Sequence, residues 1–96
     1  MKASVQKQQT ELLALLLAAS KDKALFEAVL KDILTPSEFV EISTRWQVVT
    51  RLAQGESQRT IAKDLKIGIA TVTRGSHALA KGSGGFAKMI KKLKIA

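Results

Sequence analysis

The apolar positions of the chain fall into segments whose spacing is helical from end to end. The run ELLALLLAAS predicts a first helix over about Thr10 to Ser20. Its apolar residues go nearly all the way round, which implies burial on more than one side. Residues 1–9 are polar, and fraying is expected there. A second helix, over about Lys23 to Leu34, carries Leu25, Phe26, Val29, Leu30, Ile33 and Leu34 as one stripe. The third has a well-marked start at Thr35-Pro36-Ser37-Glu38: an N-cap threonine, a proline at the first helical position and a glutamate three residues after the cap. Its apolar positions Phe39, Ile42, Trp46, Val49 and Ala53 step by 3, 4, 3 and 4, a seam for a partner helix. Arg45 lies about 100° from Trp46, on the flank of that seam. Gly55 supplies a stop signal.

Ser57 caps a short fourth helix, Gln58 to Leu65, and the turn Lys66-Ile67-Gly68 leads into a fifth, about Ile69 to Leu79. KGSGG, residues 81–85, reads as a flexible linker. Residues 86–96 then form a basic amphipathic helix with Phe86, Met89, Ile90 and Leu93 on one side. The sum is an all-α fold of six helices in one domain: residues 1–54 for dimerisation, 57–79 for a reader, 81–85 as linker and 86–96 as the last helix. A 96-residue chain buries a modest core. With the seam and the all-round first helix, that predicts a homodimer.

Composition narrows the chemistry. With no cysteine, disulfides and thiolate metal sites are excluded, and a reducing, cytoplasmic compartment is expected. The lone His77 cannot build a metal cluster. The longest apolar run, eight residues from Leu12 to Ala19, is far short of the ~18–20 needed to span a bilayer, and no secretory signal is expected. No paired carboxylates, base-supported nucleophile or phosphate-loop frame stands in motif context, so no enzyme is expected.

Charge changes the picture more. In residues 1–57 seven basic residues balance seven acidic ones. In residues 58–96 nine basic residues face Asp64 alone, so the whole excess of +8 lies in the second part. Such asymmetry points to a polyanion. Within it, Gln58 to His77 has the pattern of a helix-turn-helix. Ile61 and Leu65 lie four apart, Ala62 stands at the helix crossing, Ile67 plugs the turn and Val72 faces the core. Lys66 stands where glycine is common. At 100° per residue, Val72, Gly75, Ser76 and Leu79 face inward. Ile69, Ala70, Thr73 and His77 share a second face, and Thr71, Arg74 and Ala78 a third. The second face begins at the helix N-terminus, where a recognition helix meets base edges. Its small and apolar groups favour methyl contacts, bridging waters and shape readout over bidentate pairs.

LTPSE, Thr44-Arg45, Gly55-Glu56-Ser57-Gln58-Arg59 and the run Gly68-Ile69-Ala70-Thr71-Val72-Thr73-Arg74-Gly75-Ser76 together closely resemble the bacterial tryptophan operon repressor family. The resemblance is specific across residues 34–79. It implies an intertwined homodimer that represses tryptophan biosynthesis or transport genes, with L-tryptophan as corepressor. It implies that Arg45 and Arg74 sandwich the indole, with Arg74 also on the carboxylate and Thr35 beside it. Backbone carbonyls of Asp32 and Leu34 of the second chain would accept from the ammonium group, with Thr71 and Gly75 lining the pocket. It also implies DNA contacts from Arg59, Ile69, Ala70 and Thr73. Apart from the resemblance, Gly68 at the start of the reading helix and His77 late on its reading face are expected on the DNA side. Three departures stand out. Ala78 replaces a serine hydroxyl near the ammonium group. One residue is missing between Glu56 and Ser57. Ala62 replaces a phosphate-holding lysine, for which Lys63 and Lys66 can substitute. Two rival readings share the charge pattern: a ligand-independent helix-turn-helix module of the recombinase or transposase kind, and a membrane-surface protein using the basic last helix.

Overall fold

The structure, a computed structural model, describes residues 3–96. The described residues form six helices and no strand: α1 Ala3–Ala19, α2 Lys23–Ile33, α3 Pro36–Ala53, α4 Gln58–Leu65, α5 Ile69–Lys81 and α6 Gly85–Lys92. The expected all-α fold with a helix-turn-helix is therefore present. The chain divides into two compact units, Met1–Phe39 and Val40–Ala96.

In the first unit α1 packs against α2. The polar start of α1 is helical from Ala3 on, seven residues earlier than its apolar pattern indicates, and Met1 and Lys2 lie outside the described residues. Glutamine and lysine are good helix formers, and local pairs support them. Lys7 lies 3.9 Å from Glu11, and the Thr10 hydroxyl donates to the Gln6 carbonyl at 2.9 Å. Asp22 caps α2 by accepting from the Leu25 N–H at 3.2 Å, a cap that the stripe pattern does not reveal. The burial expected on several sides of α1 is absent within one chain. Ala19 is buried, whereas Leu13 and Leu17 are 66% and 71% exposed. On α2, Phe26, Val29, Leu30 and Leu34 are half-buried, and Leu25 and Ile33 remain exposed.

The box at the start of α3 forms reciprocally. Glu38 N–H donates to the Thr35 hydroxyl at 3.2 Å, and Thr35 N–H donates to the Glu38 carboxylate at 2.8 Å. The Thr35 N–H, and after it the Thr35 side chain, favour the charged form of Glu38 and hold its carboxyl below the ordinary carboxylate range.

In the second unit Val48, Ile61 and Val72, from α3, α4 and α5, form the buried centre, with Leu52, Ala62, Leu65 and Ile67 packed around it. Of the reader residues expected inside, Ile61, Ala62, Leu65, Ile67 and Val72 are there, and Gly75, Ser76 and Leu79 are half-buried. Val48 is the addition: it lies off the 3-4 seam, yet it faces this core while Ile42 of the seam is exposed. Further along, the Trp46 and Phe86 rings meet with centroids 5.9 Å apart at 39°, and Ile90 of α6 is buried. The link before α6 is shorter than its composition suggests, because α5 runs on through Lys81 and α6 begins at Gly85.

Three helices end alike. After α3, α4 and α6 a residue at positive φ, Gly55 (91°), Lys66 (56°) and Lys94 (56°), turns the chain so that the last carbonyls find donors. At α4, Lys66 N–H reaches the Lys63 carbonyl and Ile67 N–H the Ala62 carbonyl. Lysine pays a Cβ penalty there that glycine does not. Lys66→Gly should therefore raise stability by about 0.5–1 kcal/mol, after allowing for glycine's freer unfolded chain. Urea unfolding of the two proteins checks this.

Candidate nucleic-acid interface and ligand face

The reader is rigid for local reasons. Ser57 caps α4, its hydroxyl accepting from the Thr60 N–H at 3.1 Å. Ile61 on α4 and Val72 on α5 are fully buried against one another's surroundings, so the angle between the two helices follows from side-chain shape. The outer face of α5 is thereby left to solvent. Ile69 is 53% exposed, and Ala70, Thr73 and His77 are exposed with it. Gly68 is the exposed N-cap of α5, with nothing within 4 Å of where a Cβ would stand. Arg59 and Lys63 on α4 and Lys66 in the turn are also exposed. The eight positions expected to meet DNA thus lie within one helix-turn-helix, all open to solvent. The Thr73 hydroxyl lies 2.9 Å from the Gln58 side-chain oxygen and 3.0 Å from the Ile69 carbonyl, which links the two helices on that side.

The third face of α5 is distinct. Thr71 and Ala78 are half-buried and Arg74 is exposed. The Arg74 guanidinium reaches back one turn and donates to the Thr71 hydroxyl at 3.3 Å. Arg45, on α3, is exposed and lies 3.9 Å from Glu41, a loose surface pair. In the other unit, Thr35 is engaged in the α3 capping box, Leu34 is the C-cap of α2, and Asp32 is exposed in the last turn of α2. An open apolar pocket of about 580 Å³ lies beside this face, lined by Trp46, Ala78, Phe86, Met89 and Leu93 among others, and by neither arginine.

Gly75, expected to line a ligand pocket, has a structural role of its own. A Cβ there would stand 2.6 Å from Cγ1 of Val48, a fully buried side chain. The absence of a side chain lets α3 and α5 approach closely at this point.

Sequence pattern missed one group altogether. Arg51, near the end of α3, donates from Nε to both Glu56 oxygens at 3.0 Å, and from Nη2 to Glu56 Oε1 and Asp64 Oδ2 at 2.6 Å each. The Arg51 side chain is only 19% exposed. Its bonds hold the Glu56 carboxyl below the ordinary carboxylate range, and the two acids hold Arg51 above its usual value. The available signal was Asp64, the sole acid among nine cations.

The Trp repressor protein family profile matches residues 7–94. The chain belongs to this family. A Trp operon repressor homolog of Vibrio campbellii is 39% identical over 69 residues, covering 71% of this chain and 69% of the relative. That of Vibrio parahaemolyticus is also 39% identical over 69 residues, covering 71% and 67%. That of Vibrio cholerae is 45% identical over 58 residues, covering 59% and 56%. As a Trp repressor family member the chain is a DNA-binding transcriptional repressor and not an enzyme. Among the described residues no helix is long and apolar enough to cross a membrane, and no group of His, Cys, Asp or Glu could hold a metal ion.

Gly75→Ala weighs two opposing terms. Alanine gains about 0.5–1 kcal/mol in helix propensity, but overpacking a buried contact costs about 1–3 kcal/mol. Because the Cβ would meet a fully buried Val48 methyl at 2.6 Å, a net loss of stability is expected. Val48→Ala in the same chain should relieve part of it, so that the double variant is more stable than the two single losses predict. Gly68→Ala meets no clash but puts a poorer residue at an N-cap, and should cost about 0.5–1 kcal/mol, less than Gly75→Ala. Denaturant unfolding of the four variants checks both.

Proposed function

We propose that this repressor family member acts in the cytoplasm as a homodimer on tryptophan biosynthesis or transport genes, with L-tryptophan as corepressor. The observation that carries the ligand reading is the face shared by Thr71, Arg74 and Ala78 on the helix whose neighbouring face is the exposed reader surface. A group bound on one face bears directly on the orientation of the other. The donor set fits tryptophan. A planar guanidinium can stack on an indole and pair with a carboxylate in two-pronged fashion, which lysine cannot. Arg74 supplies both functions and Arg45 the second stacking plane, with Thr35 beside the carboxylate. The carbonyls of Asp32 and Leu34 of the second chain take the ammonium group, and Thr71 and Gly75 line the pocket. Tryptophan favours the orientation of α5 that enters the major groove, which is a population shift.

On the DNA side, Ile69, Ala70 and Thr73 meet base edges or their methyl groups. Arg59, Lys63 and Lys66 hold phosphates, Gly68 permits close approach, and His77 touches the backbone. The homodimer is supported by the exposed leucines of α1 and the open apolar pocket beside Trp46 and Phe86, since uncovered apolar surface of this extent marks an association site. Light scattering at micromolar concentration should give twice the chain mass, and a stable monomer would remove the second-chain carbonyls from the site.

Ligand titration tests the central claim. L-tryptophan should bind the wild type and raise its affinity for an operator duplex. Arg74→Ala should abolish that response. Ala78→Ser should tighten tryptophan binding by up to roughly tenfold, because a hydroxyl would give the ammonium group a charged hydrogen bond. A wild type that binds its operator equally well with and without tryptophan would overturn the corepressor role. Operator affinity should also fall on the order of a thousandfold between about 50 and 200 mM salt if six or more phosphates are neutralised.

A further inference from the structure

The Arg51 group joins three places that the backbone keeps apart: the last turn of α3, the turn at Glu56 and the far end of α4. One guanidinium forks onto Glu56 and reaches Asp64 with the same nitrogen. The Glu56 backbone N–H returns to the Arg51 carbonyl at 3.1 Å, closing the turn from the other side. Asp64 precedes Leu65, which packs on the buried centre shared with α5. A pull on Asp64 is therefore a pull on the seat of the reading helix.

Charge makes the placement informative. Asp64 is the only acid in residues 58–96, and it weakens the attraction of that surface for phosphate. Its contribution to DNA binding must come through geometry. The Arg51 side chain is mostly covered and its Glu56 pair is part-buried, whereas Asp64 stays half exposed, so the Asp64 bond acts by holding a direction more than by Coulomb strength. The planar fork also fixes direction as well as distance.

We infer that Arg51 and Asp64 are positioning residues for DNA recognition: through Glu56 and Asp64, Arg51 clamps the helix-turn-helix to the end of α3 and sets the aim of α5. The inference rests on the chain's role as a DNA-binding repressor. It is independent of which ligand is bound.

The discriminating variant is Asp64→Asn, because clamp and charge predict opposite signs. The probes are a duplex selected from a random-sequence pool by the wild-type protein and an unselected duplex of the same length. Removing a negative charge should raise affinity for the unselected duplex. Loss of the clamp should lower affinity for the selected duplex by about three- to tenfold, cutting discrimination further. Asp64→Glu keeps the charge and can still reach Arg51, so it should restore wild-type discrimination. Affinities for both duplexes rising together would show that Asp64 acts by charge alone. Both falling together with the thermal midpoint would show that it only maintains the fold. Either result overturns the positioning role. Hydrogen exchange separates this from failure of DNA binding itself. Even if the wild type selects no duplex, amides of residues 55–57 and α4 should exchange several-fold faster in Asp64→Asn, and unchanged exchange would overturn the clamp.

Discussion

The reader depends on one close approach, that of α3 to α5 where Val48 meets Gly75. A buried valine methyl occupies the place that a side chain at position 75 would need. That contact brings α3 near enough for Val48 to join Ile61 and Val72 in a single buried centre. Interiors pack densely and do not deform smoothly, so the tilt of α5 is set by the shapes of three small apolar side chains. Everything on the outer surface of α5 takes its direction from there.

Around that centre the polar groups divide the work. The Arg51 pairs hold the entry to α4, the Thr73 hydroxyl bridges toward Gln58, and the αL turn at Lys66 ends α4 in time for α5 to start at Ile69. Of these groups only Thr73 lies on the face of α5 that carries Ile69, Ala70 and His77, and those three side chains stay exposed beside it. The same economy explains the charge distribution. Arg59, Lys63, Lys66 and Arg74 of the reader are exposed, while the one acid of that region is turned onto Arg51.

The apolar surface tells a complementary story. A short chain that leaves Leu13, Leu17, Ile42 and Leu93 in water has not completed its burial. Its second unit nonetheless has a formed core, so the reader is assembled within one chain even though much apolar surface elsewhere awaits cover. The Thr71–Arg74–Ala78 face and the exposed face of Ile69, Ala70, Thr73 and His77 are strips of one helix, so whatever orients one orients the other.

Local signals determined much of this protein from the sequence alone. The caps at Thr35 and Ser57, the stop at Gly55 and the inward set Ile61, Ala62, Leu65, Ile67 and Val72 depend on neighbours within a turn or two, and 3.6-residue periodicity exposes them directly. The Thr71–Arg74–Ala78 face follows from the same angles. Other features were decided only by tertiary structure. Val48 lies off the seam of α3, and its burial comes from a helix more than twenty residues away. Arg51 reads as a surface cation until Glu56 and Asp64, 5 and 13 residues on, fold back onto it. The helical start of α1 is hidden for a different reason, since polar helix formers carry no periodicity to read. Periodicity reports which face of an element is apolar, but which face meets which neighbour is settled when the elements pack, because only then do residues distant in sequence compete for the same space.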